Sequence, residues 1–339
     1  MSENNCSCAS VACCGGPAAQ TVSTSLSFKD RRGAWKVRWG IGRMDYSVEP
    51  GLYAVGEPDG DAPVLVSANY KLTFDTLRKN LAGMDCWLLI LDTKGINVWC
   101  AAGKGTFGTD ELVRRIEATR LSGIVRHRKL ILPQLGASGV NASEVAKRTG
   151  FSSVFGPVRA SDIKGFISSG CKATKEMRQV KFTFVDRLVL APMELVEVAK
   201  VFLPILGVLF LINLFAANPF GIYDLAAYAV CIAAGAFLTP VLLPFIPGRA
   251  FSFKGGLLGS ICMALLLWAF GWFSSPFLLL GIGYMLLLPA LSAFLAMNFT
   301  GASTYTSPSG VLKEMRIALP IIIAASISGL VLVLIFKLA

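Results

Sequence analysis

Residues 95–108 read Gly-Ile-Asn-Val-Trp-Cys-Ala-Ala-Gly-Lys-Gly-Thr-Phe-Gly, and this stretch decides how the first half of the chain is interpreted. It follows the apolar run 87–91 and precedes the helical pattern 110–121, so it predicts a strand, a tight glycine-rich crossing and a helix. Cys100 lies beside residues with almost no side chain, which would let a bulky, flat ligand approach the backbone. The pattern favours a cysteine that faces a ligand over a buried, inert one.

Within this stretch, residues 97–104 read Asn-Val-Trp-Cys-Ala-Ala-Gly-Lys. This run resembles, without a departure, the cap-helix signature of the mercury-methylating corrinoid proteins, membrane relatives of the corrinoid iron-sulfur protein of the acetyl-CoA pathway. The similarity extends over about residues 64–172. The resemblance implies an α/β corrinoid-binding domain in which Cys100 is the lower axial ligand of cobalt.

From residue 63 onward, short apolar runs alternate with helical patterns. Repeated β-α units imply a mostly parallel sheet with flanking helices, which binds ligands at the carboxyl ends of its strands. Ahead of this region, residues 35–53 alternate enough to suggest short strands, and residues 56–62 predict a turn. The predicted strands are 64–67, 87–91, 130–132 and 153–155, and the predicted helices are 74–81, 110–121, 142–149 and 161–169.

The loops at the carboxyl ends of these strands are the expected functional site. By the resemblance, loops 68–73, 133–139 and 156–158 are similar to those that cradle a corrin ring and its tail, and Thr73 is similar to a threonine near the lower face. Ordinary turn chemistry is the alternative for any single glycine or threonine here. The candidate cofactor-binding residues are Thr73, Asn97, Val98, Trp99, Cys100, Ala101, Ala102, Gly103, Lys104, Thr106, Pro133, Gln134, Leu135, Gly136, Ala137, Gly156, Pro157 and Val158.

Two nucleotide-binding interpretations of the glycines fail. Residues 103–108 fit the G-x-G-x-x-G pattern, but the next predicted strand ends in Pro133 and Gln134 and offers no acidic residue for a ribose. A phosphate loop is excluded because Lys104 is followed by glycine rather than serine or threonine.

The remaining donor residues leave few choices for a cobalt ligand. His127 is the only histidine and lies in Arg-His-Arg-Lys, outside the D-x-H-x-x-G context in which another corrinoid class supplies an imidazole. We interpret it as a solvated surface residue. Cys100 is therefore the only obvious protein donor beside the expected site.

Nine cysteines occur in the chain, without the spacing of a disulfide framework and without a secretory signal before them, so reduced thiols are expected. Residues 1–25 are rich in Ser, Ala, Gly and Asn and predict a flexible arm. In this arm the vicinal pair Cys13 and Cys14, with Cys6 and Cys8, forms a candidate mercury site, and an unstructured terminus with incidental cysteines is the alternative. No ferredoxin-like four-cysteine pattern occurs, so electrons must come from another protein.

The second half of the chain has the composition of a membrane-spanning region. Hydrophobic residues make up 54% of the sequence and charged residues 16%, with a mean hydropathy of +0.61. After residue 200 come five apolar segments, each near the ~20 residues that cross a bilayer. They are residues 201–217, 223–245, 255–273, 276–297 and 317–336.

Charge sets the orientation of these segments. The loops containing Arg249 and Lys254, and Lys313 and Arg316, are basic, whereas the other two loops carry no basic residue. The positive-inside rule then predicts an inner-membrane protein with residues 1–200 in the cytoplasm and the C-terminus outside. The predicted spans contain no charged residue at mid-depth, except for Asp224 near one end. This lack of charge disfavours a transporter that relays ions through charged side chains.

The predicted organisation is a flexible arm (1–25), a cytoplasmic corrinoid-binding α/β domain (26–175), a linker or juxtamembrane helix (176–200) and an all-α transmembrane domain of five helices (201–339). Residues 201–339 carry a net charge of +3, which leaves +8 of the total +11 on residues 1–200. A basic soluble domain beside a membrane indicates contact with anionic lipid, and no nucleic-acid-binding motif is present. The long loop 298–316 is interpreted either as part of the mouth of the site or as a connector.

The resemblance implies a corrinoid-dependent methyltransferase that passes a methyl group from cobalt to Hg(II). It implies a corrinoid (cobalamin-type cobamide) cofactor, a methyltetrahydrofolate-type methyl donor or its methyltransferase, and a ferredoxin-like partner with [4Fe-4S] clusters as reductant. The alternative is a membrane protein that binds or moves a cobamide or a metal without methyl transfer.

Overall fold

The computed structural model describes residues 19–302 and 308–339. Cys13 and Cys14, with the rest of the N-terminal arm up to residue 18, lie outside the described residues. The chain divides into two compact units. The first comprises residues up to Val37 together with Ile41–Val180, and the second comprises Arg38–Gly40 and Lys181–Ala339.

The first unit is an α/β domain built on a sheet of six strands. Its strands are β1 (Gln20–Val22), β2 (Gly51–Val55), β3 (Val64–Ala68), β4 (Cys86–Leu91), β5 (Lys129–Leu132) and β6 (Ser152–Phe155). Its helices are α1 (Phe28–Arg38), α2 (Lys71–Asn80), α3 (Val98–Lys104), α4 (Thr109–Ala118), α5 (Leu121–Ile124), α6 (Ala142–Thr149), α7 (Ile163–Ser168) and α8 (Lys175–Arg178). Short 3₁₀ turns at Gln134–Gly136 and Ala160–Asp162 complete it.

The strand order is β1-β2-β4-β3-β5-β6. Only the β2–β4 pairing is antiparallel, so the mostly parallel sheet expected from the sequence is confirmed. Every residue of β4 is buried, as its unbroken Cys-Trp-Leu-Leu-Ile-Leu run predicts for a strand covered on both faces. The chain runs from β3 to β4 on one side and then crosses to β5 on the other, which makes the β3–β5 boundary the switch point of the sheet.

Two apolar cores cover the two faces of this sheet. One face packs with α3, α4, α5 and α6 through residues such as Phe107, Leu112 and Val145. The other packs with α2 and α7 through Phe74, Leu77 and Phe166. Alternate residues of β3 enter opposite cores, so both layers depend on one central strand.

Three expectations for the first unit are wrong. Residues 1–25 were assigned to a flexible arm, but Gln20–Val22 forms β1 and pairs with β2. Short strands were expected from residue 35, but α1 covers Phe28–Arg38, because Ser27 and Asp30 bond reciprocally in a capping arrangement that starts a helix. Cys100 was expected in a glycine-rich crossing, but Val98–Lys104 forms a helix. The other predicted strands and helices agree with the observed elements to within three residues at most ends.

The second unit is helical. Its elements are α9 (Phe184–Ile212), α10 (Ile222–Ile232), α11 (Thr239–Leu242), α12 (Phe251–Ala269), α13 (Leu278–Asn298) and α14 (Pro308–Leu338). A π-helical turn, Ala233–Leu238, joins α10 to α11 in one span. Within the described residues, five helices are long and apolar enough to cross a membrane, as the sequence predicts.

Small residues hold α12 against α13. A Cβ at Gly255 would lie 2.7 Å from the Ser292 carbonyl, and one at Gly259 would lie 2.6 Å from Ser292 Cβ. The Ser292 hydroxyl donates to the Gly255 carbonyl at 3.0 Å. Close approach through small residues is the usual packing of helices in lipid, where helices gain little from burial alone.

Two boundaries differ from the sequence-based expectation. Residues 176–200 were assigned to a linker or juxtamembrane helix and residues 201–217 to the first span, but α9 runs unbroken from Phe184 to Ile212. Its start is fixed by Thr183, which forms a capping box with Asp186. The predicted loop 298–316 is also too long, because α14 begins at Pro308.

Candidate functional site

A cavity of about 430 Å³ lies at the carboxyl ends of β3 and β5, at the switch point of the sheet. Ligands of open α/β sheets bind in this crevice, and the volume is within the usual range for small-molecule sites. The walls are mostly apolar. They are Leu65, Val66, Ser67, Tyr70, Leu72, Thr73, Thr76, Leu77, Asn97, Val98, Trp99, Ile131, Leu132, Pro133, Leu135, Pro157, Val158, Ala160 and Ile163.

The cavity brings together eight of the predicted cofactor-binding residues. Three come from α3 and its cap, and the others come from α2 and from the loops after β5 and β6. They are Thr73, Asn97, Val98, Trp99, Pro133, Leu135, Pro157 and Val158. The expectation that the loops at the carboxyl ends of the strands converge is therefore met by these residues.

Ten predicted residues do not line the cavity. Ala101 and Ala102 are buried in the core under α3, and Gly136 and Gly156 are also buried. Thr106 lies near the Ala101 carbonyl, and Gln134 accepts a hydrogen bond from Arg178. The exposed residues are Cys100, Gly103, Lys104 and Ala137.

Cys100 occupies the first turn of α3. The Asn97 side chain caps this helix by accepting a hydrogen bond from the Cys100 N–H at 2.9 Å. Gly105, with φ +81°, ends the helix in the left-handed conformation. The Cys100 thiol is free and exposed, so a buried, inert cysteine is ruled out, and α3 presents the thiol one residue after Trp99 of the cavity wall.

The glycines of the 133–139 loop allow close packing. A Cβ at Gly136 would meet the Phe107 ring, and one at Gly139 would meet the Phe107 carbonyl and lie 3.1 Å from Ala102 Cα. Their absent side chains let this loop lie directly against α3 and the residues after it. Gly136 thus helps to position α3, and its role in ligand binding stays a prediction.

His127 is partly buried, so its interpretation as a solvated surface residue is wrong. Its Nε2 lies 2.9 Å from the Ala62 carbonyl oxygen, and its Nδ1 accepts from the Lys129 N–H at 3.2 Å. These contacts assign the proton to Nε2 and tie the start of β5 to the segment before β3. Both ring nitrogens are used at the amino ends of the strands, away from the cavity.

Asn69, buried at the end of β3, organises the segment that leads into α3. Its Oδ1 accepts from the Thr93 N–H at 3.1 Å, from the Thr93 hydroxyl at 2.8 Å and from the Gly95 N–H at 3.0 Å. The Thr93 hydroxyl lies 2.6 Å from the Ile96 carbonyl. The Asn69 side-chain oxygen thus fixes the backbone of residues 93–95, which leads directly to Asn97, the N-cap of α3.

Asn69→Ala removes the acceptor for two backbone N–H groups and one hydroxyl. We expect a loss of about 2 kcal/mol in the free energy of unfolding of the α/β domain, because the fully buried Thr93 N–H would be left without a partner. Chemical denaturation followed by tryptophan fluorescence measures this loss. Asn80→Ala is the control, since Asn80 makes one exposed hydrogen bond, to Thr76. An equal loss in both variants would contradict a positioning role for Asn69.

Glu111 of α4 supports the same segment from the other side. Its carboxylate accepts from the Asp92 N–H at 2.8 Å and from Arg115 at 2.7 Å, and it also pairs with Arg114. Burial alone would raise the pKa of Glu111, but these hydrogen bonds outweigh burial and hold the pKa below its usual value. Glu111 is therefore ionised at neutral pH and holds the end of β4 in place.

A buried ion network anchors the first turn of α2, which forms one wall. Asp30 pairs with Lys71 at 2.7 Å and with Arg78 at 2.8 Å, and Asp75 pairs with the same two cations. Burial would raise the pKa of Asp30, but hydrogen bonds from Lys71, Ser27 and Arg78 hold it well below its usual range. Since the folded-state pKa is depressed, this contribution to stability is present at neutral pH and is lost as the pH falls below about 4.

Apart from Thr73, the part of the cavity wall described here was not predicted from the sequence. Thr73, Thr76 and Leu77 share one face of α2, at spacings of three and four residues. This face is recognisable only if α2 is started at Lys71, whereas the predicted helix began at residue 74. The strand residues Leu65 to Ser67 and Ile131 line the cavity as well, and no local pattern distinguishes them from ordinary core residues.

The α/β domain is similar to subunits of CO dehydrogenase/acetyl-CoA synthase complexes. Residues 42–167 match the family model of the CO dehydrogenase/acetyl-CoA synthase delta subunit. The acetyl-CoA decarbonylase/synthase complex subunit gamma of Methanopyrus kandleri is 35% identical over 127 residues, 37% of this chain and 27% of the relative. The subunit of the same name from Methanocaldococcus jannaschii is 34% identical over 140 residues, 40% of this chain and 28% of the relative.

The match covers β2 to α7 and includes the whole cavity wall. The similarity agrees with the sequence-based relation to corrinoid proteins and with a corrinoid as the cofactor of this domain. The chain spans about a quarter of the length of the curated relatives it matches. The similarity therefore concerns the α/β domain alone.

Proposed function

We propose that this chain is a membrane-anchored corrinoid-dependent methyltransferase that transfers a methyl group to inorganic Hg(II) and forms methylmercury. The observation that carries the proposal is the exposed Cys100 thiol on a capped helix whose Asn97, Val98 and Trp99 wall the switch-point cavity. The relation to corrinoid proteins supports corrinoid-dependent methyl transfer in general. Mercury as the acceptor comes from the resemblance of residues 97–104.

The residues of the cavity fit a corrinoid. A bound corrinoid supplies a cobalt ion able to carry a methyl group. The apolar wall suits part of such a molecule, but a cavity of about 430 Å³ does not enclose a whole cobamide. The remainder would lie against the exposed side of α3, which carries Cys100, Gly103 and Lys104.

In this arrangement the Cys100 thiolate would be the residue that holds cobalt. A thiolate is a strong electron donor, and such a donor would suit passage of a methyl group to a soft cation such as Hg(II). Asn97 fixes the first turn of α3 and thereby the backbone of Cys100, while Val98 and Trp99 add apolar surface to the cavity wall.

The remaining components are supplied by other molecules. We propose a methyltetrahydrofolate-type donor, acting directly or through its own methyltransferase, and a ferredoxin-like protein with [4Fe-4S] clusters as reductant. The arm that carries Cys13 and Cys14 would deliver mercury to the site. Hg(II) is the substrate of this reaction.

The test is methyl transfer to isotopically enriched inorganic mercury by membranes that contain the full chain, given a cobamide, a reductant and a methyl donor. We expect enriched methylmercury, detected by mass spectrometry, only when the chain and the methyl donor are both present. A chain that retains a corrinoid and forms no methylmercury would favour the alternative of a cobamide- or metal-binding membrane protein.

We further propose that the five apolar helices cross the inner membrane, with the α/β domain in the cytoplasm. Support comes from their length and hydropathy and from the basic residues Arg249, Lys254, Lys313 and Arg316 at or near the helix ends predicted to be cytoplasmic. A reporter fused before Met1 should read as cytoplasmic, and one fused after Ala339 as external. Reporter activity on the same side for both fusions would contradict the five-span count.

A further inference from the structure

A second cavity, of about 260 Å³, lies in the helical unit between the end of α11 and the start of α12. Leu243, Gly248, Arg249, Phe251 and Lys254 line it. Two of these five residues are cationic and none is acidic. The composition of this cavity is therefore opposite to that of the mostly apolar cavity of the α/β domain.

Lys254 is the buried cation of this cavity. Its side chain lies in the first turn of α12, and the residue is only 8% exposed. Its Nζ donates to the Leu243 carbonyl at 2.5 Å, the one hydrogen bond that the described residues give it. An ammonium group has three donors, and a buried charge is costly unless it is paired, so this group calls for an anion.

Arg249 adds a second positive charge at the rim. It is exposed, and it forms no ion pair with any residue of the ranges 19–302 and 308–339. Gly248, with φ +91°, turns the chain here, and a Cβ on it would lie 2.8 Å from the Phe253 ring. Because Gly248 has no side chain, the chain can turn here close to Phe253, and Arg249 then lies just before the first turn of α12.

The start of α12 already accepts a carboxylate. Ser252 N–H donates to Glu314 Oε1 at 2.6 Å, although Glu314 does not line the cavity. Ala250, the N-cap residue, offers no side-chain acceptor. The backbone end of α12 therefore favours negative charge, as helix N-termini do, and Glu314 already supplies part of that charge.

We propose that this cavity binds the phosphate of an anionic phospholipid headgroup. The proposal rests on the membrane placement proposed above, which puts Arg249 and Lys254 on the cytoplasmic side, where anionic lipids attract basic segments. Leu243 and Phe251 give the cavity apolar walls against the glycerol portion of a lipid. Lys254 binds the phosphate from within, and Arg249 binds it from the rim.

The test is a titration of the full chain in uncharged detergent, with bound ligand counted by native mass spectrometry. The probes are dioctanoyl phosphatidylglycerol, dioctanoyl phosphatidylcholine and inorganic phosphate. Phosphatidylglycerol should bind to a defined site and should bind more tightly than either of the others. Equal affinity for inorganic phosphate, or for phosphatidylcholine, would overturn recognition of an anionic lipid.

Arg249→Gln should weaken binding of phosphatidylglycerol about fivefold, the effect expected for one basic side chain near an anionic surface. Arg316→Gln is the matched control, because Arg316 is an exposed basic residue near the start of α14 and does not line the cavity. Lys254→Gln should weaken binding at least as much, and Arg249→Gln keeps the test valid if that buried substitution prevents folding. Unchanged binding in Arg249→Gln, or an equal loss in Arg316→Gln, would overturn the site.

Recovery of the chain in the membrane fraction separates this inference from the membrane placement. A membrane-bound chain whose lipid binding does not depend on Arg249 overturns the lipid site alone. Recovery of the chain in the soluble fraction overturns the membrane placement and the lipid site together.

Discussion

Cys100→Ala is expected to reduce methyl transfer to Hg(II) by at least about 100-fold, the upper end of what loss of a supporting contact at a metal site costs. Alanine keeps the backbone of α3 and its Asn97 cap, because that hydrogen bond uses the Cys100 N–H and not the thiol. The side chain is exposed, so the free energy of unfolding should change by no more than about 0.5 kcal/mol. Production of methylmercury from enriched mercury is the measurement.

Three further variants isolate the thiolate from other effects. Cys100→Ser keeps the size of the side chain but offers a poor ligand, so it should be as inactive as alanine. Cys100→His offers a larger and weaker donor and should retain the cofactor at best, with little turnover. Cys171→Ala removes another free cysteine that does not line the cavity and should remain active. Full activity of Cys100→Ala would remove the thiolate from the mechanism.

The second large effect is expected in the helical unit, at a buried ion pair. Asp224 at the start of α10 lies 2.9 Å from Lys337 at the end of α14, and both side chains are almost completely buried. Asp224 also accepts from the Tyr284 hydroxyl at 2.6 Å and from the Gly221 N–H at 2.7 Å. Asp224→Ala should cost about 3–5 kcal/mol, because it leaves the Lys337 ammonium buried and without its counter-charge.

The midpoint of thermal unfolding in detergent measures this loss, and a double variant tests its cause. Asp224→Ala combined with Lys337→Met removes both charges and keeps an apolar side chain of similar length, so much of the lost stability should return. If the double variant is as unstable as Asp224→Ala plus Lys337→Met added together, the two residues are not coupled and the ion pair does not stabilise the helix ends.

The four strands from residue 64 onward were predictable because their apolar runs are short, continuous and separated by helical patterns. Cys86–Leu91 and Val64–Ala68 are examples, and both are buried throughout. Helix α3 could not be predicted from the residue pattern, because a helix of seven residues with two glycines nearby is too short to show a helical repeat of apolar residues. Its ends were nevertheless signalled by Asn97 as N-cap and Gly105 as C-cap, which stand eight residues apart.

The membrane-type helices were predictable in number but not in extent. Charged residues such as Glu194 and Lys200 ended the apolar window, yet α9 continues through them from Phe184. In the same way, Lys313 and Arg316 made residues 298–316 resemble a loop, although they lie within α14. A helix boundary follows backbone caps, whereas a hydropathy window follows only side-chain polarity.

The site was predictable as a set of loops but not as a set of side chains. Thr73, Trp99 and Pro157 line the cavity as expected, whereas Ala101 and Gly136 face the core. Which side of a short helix faces a ligand depends on how the helix packs, and here Phe107 decides it by lying against the 133–139 loop. Asn69 shows the same limit, because its three hydrogen bonds join segments more than 20 residues apart.

The most direct test of the account is the visible absorption spectrum of the purified full chain after incubation with a cobamide and removal of the excess. The account predicts corrinoid bands that remain with the protein at one equivalent per chain and that are shifted in Cys100→Ala relative to Cys171→Ala. A spectrum without corrinoid bands, or bands identical in the wild-type chain and in Cys100→Ala, would contradict a corrinoid held with Cys100 as its ligand.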